Sequence, residues 1–203
     1  MKRLGILLSG RGSNFEAIAQ SIDRGELKAE IAVVISNVEQ APGLQRARER
    51  GLYTFSLNSR GLNRESFDRQ VATVLQAEGV DLVCLAGFMR LLSPFFIDSF
   101  RHRILNIHPS LLPAFAGLDA QRQALEYGVK YSGCTAHFVD EGLDSGPIIV
   151  QAAVPVLDND TEEQLSARIL AEEHRLYSQA IRLVLENQIR IAGRRVIHSK
   201  SKT

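Results

Sequence analysis

Cysteine is scarce in this chain of 203 residues. Its two thiols, Cys84 and Cys134, lie in apolar or strand-like stretches and read as buried free thiols, with a disulfide or a catalytic thiol as lesser alternatives. An excess of charge of one sign is also missing. With 24 basic against 23 acidic side chains the formal charge is +1, so no global field recommends a nucleic-acid or membrane partner. No apolar run reaches the length of a membrane span. The start, MKRLGILLSG, is interrupted by Gly10 and Arg11, and it reads as a first core strand rather than a signal peptide. Repeats, low-complexity tracts and proline-rich linkers are absent, which predicts one domain over residues 1–203. No His/Cys/Asp spacing resembles a metal site, and no serine or cysteine sits in a GxSxG elbow. These two absences direct attention away from metal chemistry and covalent intermediates, towards direct transfer.

Apolar runs and helical patterns alternate through the first half. Leu4–Leu8, Ile31–Ile35, Leu52–Phe55, Leu82–Leu85 and Ile104–Ile107 read as strands. Asn14–Ile22, Gly43–Glu49 and Arg64–Ala77 read as helices between them. The alternation predicts an α/β fold, a mostly parallel, Rossmann-like open sheet with helices on both faces. After a helix near Leu118–Tyr127, Ser132–Val139 and Pro147–Val154 read as an antiparallel addition joined by the link Asp140–Gly146. A long last helix is expected to begin at Asp160, as N-cap with Glu163 three residues later, and to run to about Leu185. Beyond it, Arg194, Arg195, Lys200 and Lys202 read as a basic, frayed tail.

The first strand feeds into SGRGSNFEAI. Gly10 and Gly12 permit a sharp turn and close ligand approach, and Ser13 or Asn14 is expected to cap the helix, whose N–H groups suit a phosphate. The third glycine of a dinucleotide fingerprint is replaced by Phe15, and the second strand ends in Ser36–Asn37 rather than an acid, which disfavours a nicotinamide cofactor. A lysine followed by serine or threonine, as in Walker A, is missing too. A single phosphate or sugar-phosphate site is the leading reading, with a bare structural turn the alternative. Arg64 is a candidate second clamp on that phosphate, against the ordinary alternative of a solvated arginine.

The stretch LNIHPSLLPAFAG sets Asn106 and His108 at the end of an apolar strand. Carboxyl ends of parallel strands are where α/β proteins hold ligands. An amide and an imidazole there can hold the oxygen of a tetrahedral intermediate, and the imidazole can also move a proton. Asp144, in LDSGPIIVQ, can return to orient the ring if its flanking glycines turn inward. An Asn-x-His alone is more often a turn with a satisfied histidine. His137 reads as structural, His102 and His198 as surface residues, and His174 as part of a charged helix stretch. Glu173 is a candidate for a ligand amine, with a solvated helix face the default.

On ILLSGRGSNFEAI, LAGFMRLLSPFF, LNIHPSLLPAFAG, GCTAHFVDEGLDSGPIIVQ and the Glu172–Glu173 helix, the chain resembles the folate-dependent formyltransferases over essentially its whole length. The Gly-Ser-Asn loop makes it most similar to those that use glycinamide ribonucleotide. The resemblance implies formyl transfer from 10-formyltetrahydrofolate in purine synthesis by a cytoplasmic enzyme, with no metal, no nucleic-acid or membrane partner, and a monomer or weak homodimer. It implies Asn106, His108 and Asp144 as catalytic residues. It implies Gly12, Ser13, Asn14, Arg64, Phe88, Pro109 and Glu173 as contacts to the ribonucleotide. Folate contacts would come from Arg90, Leu91, Leu92, Asn106, Val139 and the run Asp140, Glu141, Gly142, Leu143 and Asp144. The chain departs from the family at Ala116, often proline, and at Asp119, often histidine; the trio is untouched by either.

Overall fold

The computed structural model describes residues 1–199; Lys200 and Lys202 of the basic tail lie outside them. The chain divides into two units, Met1–Asn106 and a second that begins at Ile107.

The first unit alternates β1 (Lys2–Leu8), α1 (Ser13–Asp23), β2 (Ala29–Ser36), α2 (Pro42–Glu49), β3 (Thr54–Ser56), α3 (Arg64–Ala77), β4 (Leu82–Leu85), α4 (Pro94–Ser99) and the start of β5 (Ile104–His108). Its strands lie in the order β3-β2-β1-β4-β5 and all pair in parallel. Leu4, Ile6, Leu7, Leu8, Val33, Val34, Ile35, Val83, Cys84 and Leu105 are all buried in continuous runs. Runs of that kind, rather than alternation, mark a sheet covered on both faces. Connectivity reverses between β1 and β4, so their carboxyl ends form a topological switch point, the usual ligand crevice of such sheets.

In the second unit, β6 (Tyr131–Phe138) and β7 (Ile148–Pro155) pair antiparallel. α5 (Ala120–Tyr127) precedes them and α6 (Glu162–Leu185) follows, packing on both strands. The cap of α6 is Thr161, not Asp160: its hydroxyl accepts from the Gln164 N–H while the Gln164 side chain accepts from the Thr161 N–H. A cap of this kind stabilises by about 1 kcal/mol. Asp160 is instead held by Arg168, whose guanidinium draws its carboxyl down to about 2.

The expected frayed tail is a hairpin over its described part. β8 (Ile189–Ala192) and β9 (Arg195–His198) pair antiparallel across Gly193 and Arg194, with Gly193 at φ 62, the conformation a two-residue hairpin turn needs. β9 also pairs in parallel with β7. Among the described residues, no helix is long and apolar enough to cross a membrane.

Candidate active site

In the first unit, β1 ends at the glycine loop. Gly12 has φ 74, and a Cβ on it would stand 2.7 Å from the Gly43 Cα. The Gly43 N–H in turn donates to the Gly10 carbonyl at 3.0 Å. The first turn of α2 is thus packed backbone to backbone on the loop, which requires glycine at position 12. Neither Ser13 nor Asn14 caps α1. Both are helical, and the cap is Gly12, which brings no side-chain hydrogen bond. The opening N–H groups of the helix therefore keep their capacity for an anion.

Ser9, to which the sequence drew no attention, ties this loop to its surroundings. Its hydroxyl donates to Asn37 Oδ1 at 2.6 Å and accepts from the Met89 N–H at 2.8 Å, while its own N–H donates to the Gly87 carbonyl. The segment after β4 is thereby fixed to the end of β1. Within it, Leu91 is 54% exposed, whereas Phe88 and Leu92 are buried, so any contact from the latter two comes through little of the side chain. The Arg90 guanidinium lies 4.5 Å from the centre of the Phe67 ring, a contact worth about 0.5–2 kcal/mol. Arg64 opens α3 and is exposed.

In the second unit, His108 ends β5 and is buried. Its Nε2 lies 2.9 Å from the Phe115 carbonyl and its Nδ1 3.3 Å from Asp144 Oδ2. Both neighbours are acceptors. A neutral imidazole has one N–H and satisfies one of them; the imidazolium satisfies both. Asn106 precedes His108 by two positions on the same strand, the period that puts side chains on one face.

Asp144 is reached through a left-handed backbone, φ 47, and its Oδ2 also accepts from the Gly117 N–H at 2.9 Å. The link that carries it is tightly folded. Asp140 Oδ1 accepts from the Gly142 N–H and the Ser145 hydroxyl, and a Cβ on Gly146 would come within 1.8 Å of the Phe138 carbonyl. Glycine at 146 is what lets the chain turn back on β6. The segment of Pro109 is pinned separately. The Thr135 hydroxyl donates to the Ser110 carbonyl at 2.7 Å and accepts from the Leu112 N–H and Gln151.

His137, read from sequence as structural, stands beside the carboxylate. Its Nδ1 lies 2.8 Å from the Phe138 carbonyl and its Nε2 3.8 Å from Asp144 Oδ1. Burial holds its pKa below the ordinary histidine value, against the opposing pull of Asp144. The separation is too long for a hydrogen bond, so His137 is a neutral neighbour rather than a second ion pair. Alternation along β6 was the available signal, since His137 follows Thr135 on the same face. Cys134 faces the other way. Burial, with the charge of Glu173 second, pushes its thiol up to about 12, so it is no nucleophile at neutral pH. Glu173 itself is buried on α6. Among the described residues, no group of His, Cys, Asp and Glu is arranged to hold a metal ion.

Comparison with known proteins agrees with this architecture. The family model for formyl transferase matches residues 2–181. The phosphoribosylglycinamide formyltransferase of Escherichia coli is 41% identical over 187 residues, spanning 92% of this chain and 88% of that protein. The trifunctional purine biosynthetic protein adenosine-3 of Drosophila melanogaster is 46% identical over 187 residues, where the chain spans only 14% of the relative's length. The crystal structure of glycinamide ribonucleotide transformylase 1 from Symbiobacterium toebii superimposes with a TM-score of 0.96 at 55% identity, covering 98% of this chain and 94% of that one. With the α/β sheet, the pairing of buried His108 with Asp144 and a family match across most of its length, the chain belongs to the formyl transferase family.

Proposed function

We propose that this chain transfers the formyl group of 10-formyltetrahydrofolate to the amine of glycinamide ribonucleotide, giving formylglycinamide ribonucleotide and tetrahydrofolate. The observation that carries the reading is the His108–Asp144 contact at 3.3 Å, in which a buried ring also meets the Phe115 carbonyl. The imidazolium form of that ring donates from both nitrogens, so it can keep the Phe115 carbonyl and still meet a developing oxyanion.

The substrate amine attacks the formyl carbon, and a tetrahedral centre bearing one oxyanion results. Asn106 donates to that oxygen from its amide. His108 donates from Nδ1, the nitrogen on the longer and looser of its two contacts. Asp144, beside the ring, carries the proton released by the amine towards folate N10 through a bound water. Collapse of the intermediate then breaks the bond from carbon to N10, leaving formylated amine and tetrahydrofolate. Alignment of the two reactants contributes several kcal/mol besides, on the order of what intramolecular reactions gain.

The opening N–H groups of α1, at Gly12, Ser13 and Asn14, take the substrate phosphate with Arg64 assisting; Phe88, Pro109 and Glu173 take the rest of the ribonucleotide. Folate lies against Arg90, Leu91, Leu92 and Val139, with backbone groups of Asp140–Asp144 reading its edge. The reading treats the chain as one formyltransferase domain, supported by the single family match across the unit boundary, acting in the cytoplasm as a monomer or weak homodimer. It is tested by following loss of the formyl group from the folate spectroscopically. Turnover that depends on glycinamide ribonucleotide is expected. Equal turnover without any amine would instead make the chain a hydrolase that releases formate.

A further inference from the structure

Asp68 is a buried carboxylate that the mechanism above leaves unused. It lies on α3 and is 1% exposed. A buried carboxylate is costly unless it is paired or hydrogen-bonded, so its partners indicate what the cost maintains. Its Oδ2 accepts from the Ser93 N–H at 2.5 Å. Ser93 in turn caps α4, its hydroxyl accepting from the Phe96 N–H. That cap ends the segment Phe88–Leu92, whose other end is held by the Met89 N–H on Ser9.

The neighbours of Asp68 add to this. Phe67, next to it on α3, carries the Arg90 guanidinium over its ring at 4.5 Å, and the buried Nε of Arg90 has no partner. Arg64 stands one helical turn before Asp68, at the spacing where side chains meet. The charges of Arg90 and Arg64 both act on the Asp68 carboxyl, yet burial outweighs them and the Ser93 hydrogen bonds and raises its pKa. For an acid with a raised folded pKa, the stabilising contribution is present below the unfolded pKa and lost as pH rises through the folded one. The carboxyl is thus kept at 1% exposure against the cost of its burial, on the Ser93 N–H that follows the Phe88–Leu92 segment.

We propose that Asp68 is a positioning residue for the formyl donor, fixing the Phe88–Leu92 segment through the Ser93 N–H and setting Arg90 against Phe67. This rests on the reading that places folate against Arg90, Leu91 and Leu92. Asp68 touches neither reactant; it decides where the donor-side backbone stands.

The test is steady-state kinetics of the full chain in wild type, Asp68→Ala, Asp68→Asn and Arg90→Ala. Asp68→Ala removes acceptor and charge together, and the donor KM is expected to rise about tenfold, the equivalent of one lost buried hydrogen bond. Asp68→Asn retains an acceptor and loses the charge, and is expected to give about a threefold rise. In both, kcat and the KM for glycinamide ribonucleotide stay within about twofold of wild type. An unchanged donor KM, or an equal shift in all three constants, overturns the proposal. Should Asp68→Ala fail to fold, Asp68→Asn decides on the same criteria. Wild type without amine-dependent transfer would defeat the proposed function itself. Arg90→Ala with an unchanged donor KM would defeat the folate placement. A raised donor KM in Arg90→Ala beside unchanged values in both Asp68 variants defeats only the role of Asp68.

Discussion

The glycine loop and the His108 centre present polar groups by opposite means. At Gly10–Asn14 the groups presented are backbone: N–H groups at the start of a helix with no side-chain cap, held by Gly43 packed against Gly12. At His108 they are side chains, each held by backbone: the ring by the Phe115 carbonyl and the carboxylate by the Gly117 N–H. A site made of backbone tolerates changes of side chain unless they alter the path of the chain. A site made of side chains loses its chemistry when one atom changes, even with every backbone position kept. The two regions should therefore respond to mutation in different kinetic constants.

The largest break is expected at Asp144. Asp144→Asn retains an oxygen able to accept from the Gly117 N–H, so the link should fold as before, with far-UV circular dichroism unchanged. It loses the carboxylate charge that stands 3.3 Å from His108 Nδ1, and kcat should fall by about 10²–10³-fold, the range for removal of one oxyanion stabiliser. Asn106→Ala should fall in the same range. Near wild-type kcat in both would remove the trio from the mechanism.

Gly12→Ala comes next and should strike the other constant. Its Cβ would meet Gly43 at 2.7 Å, on a backbone at φ 74, which costs an L-residue about 1–2 kcal/mol before any clash. The loop must shift to relieve both, carrying its N–H groups off position, and we expect the KM for glycinamide ribonucleotide to rise by about tenfold or more, about 1.4 kcal/mol of lost binding, with kcat at saturation much less affected. Ser13→Ala is the contrasting control: it leaves the N–H in place and should change that KM by less than about threefold. If the serine variant were the more damaging of the two, the loop would be a side-chain site and the contrast would fail.

These differences also mark what could be read from sequence. Where a long period or a continuous apolar run existed, the elements followed it: α3 spans Arg64–Ala77 and β4 spans Leu82–Leu85, as their patterns predict. Short elements carry too few residues to show a period. β3 sits two residues later than Leu52 suggested, at Thr54–Ser56, and the six residues of α4 are too few to show a helical period. The β8–β9 hairpin was hidden because arginines at its turn resemble a solvated tail, although Gly193 marks the turn. Asn106, His108 and Asp144 stood out as polar residues in apolar or glycine-rich company. Ser9 and Asp68 did not, because each acts through a partner distant in sequence, Met89 and Ser93 respectively, and His137 did not because only the folded link brings Asp144 back beside it.

The smallest effect is expected at His137, and it concerns stability rather than rate. The ring is buried beside Asp144, with the charges of His108 and Asp140 also acting on it, and burial lowers its pKa. For a base so shifted, the unfolded chain binds the proton more readily than the folded one. Its stabilising contribution is complete above the unfolded value of about 6.5 and is lost as pH falls from there through the folded value. His174 is lowered by burial as well, so the total acid slope of the protein does not isolate His137; the difference from a variant does. In urea denaturation, the stability gap between wild type and His137→Gln should be widest above pH 7 and close progressively towards pH 5. A gap that widens in acid would mean that Asp144 outweighs burial and holds His137 charged. Asp144 would then face a charged His137 ring as well as His108, and the neutral-neighbour role would have to be abandoned.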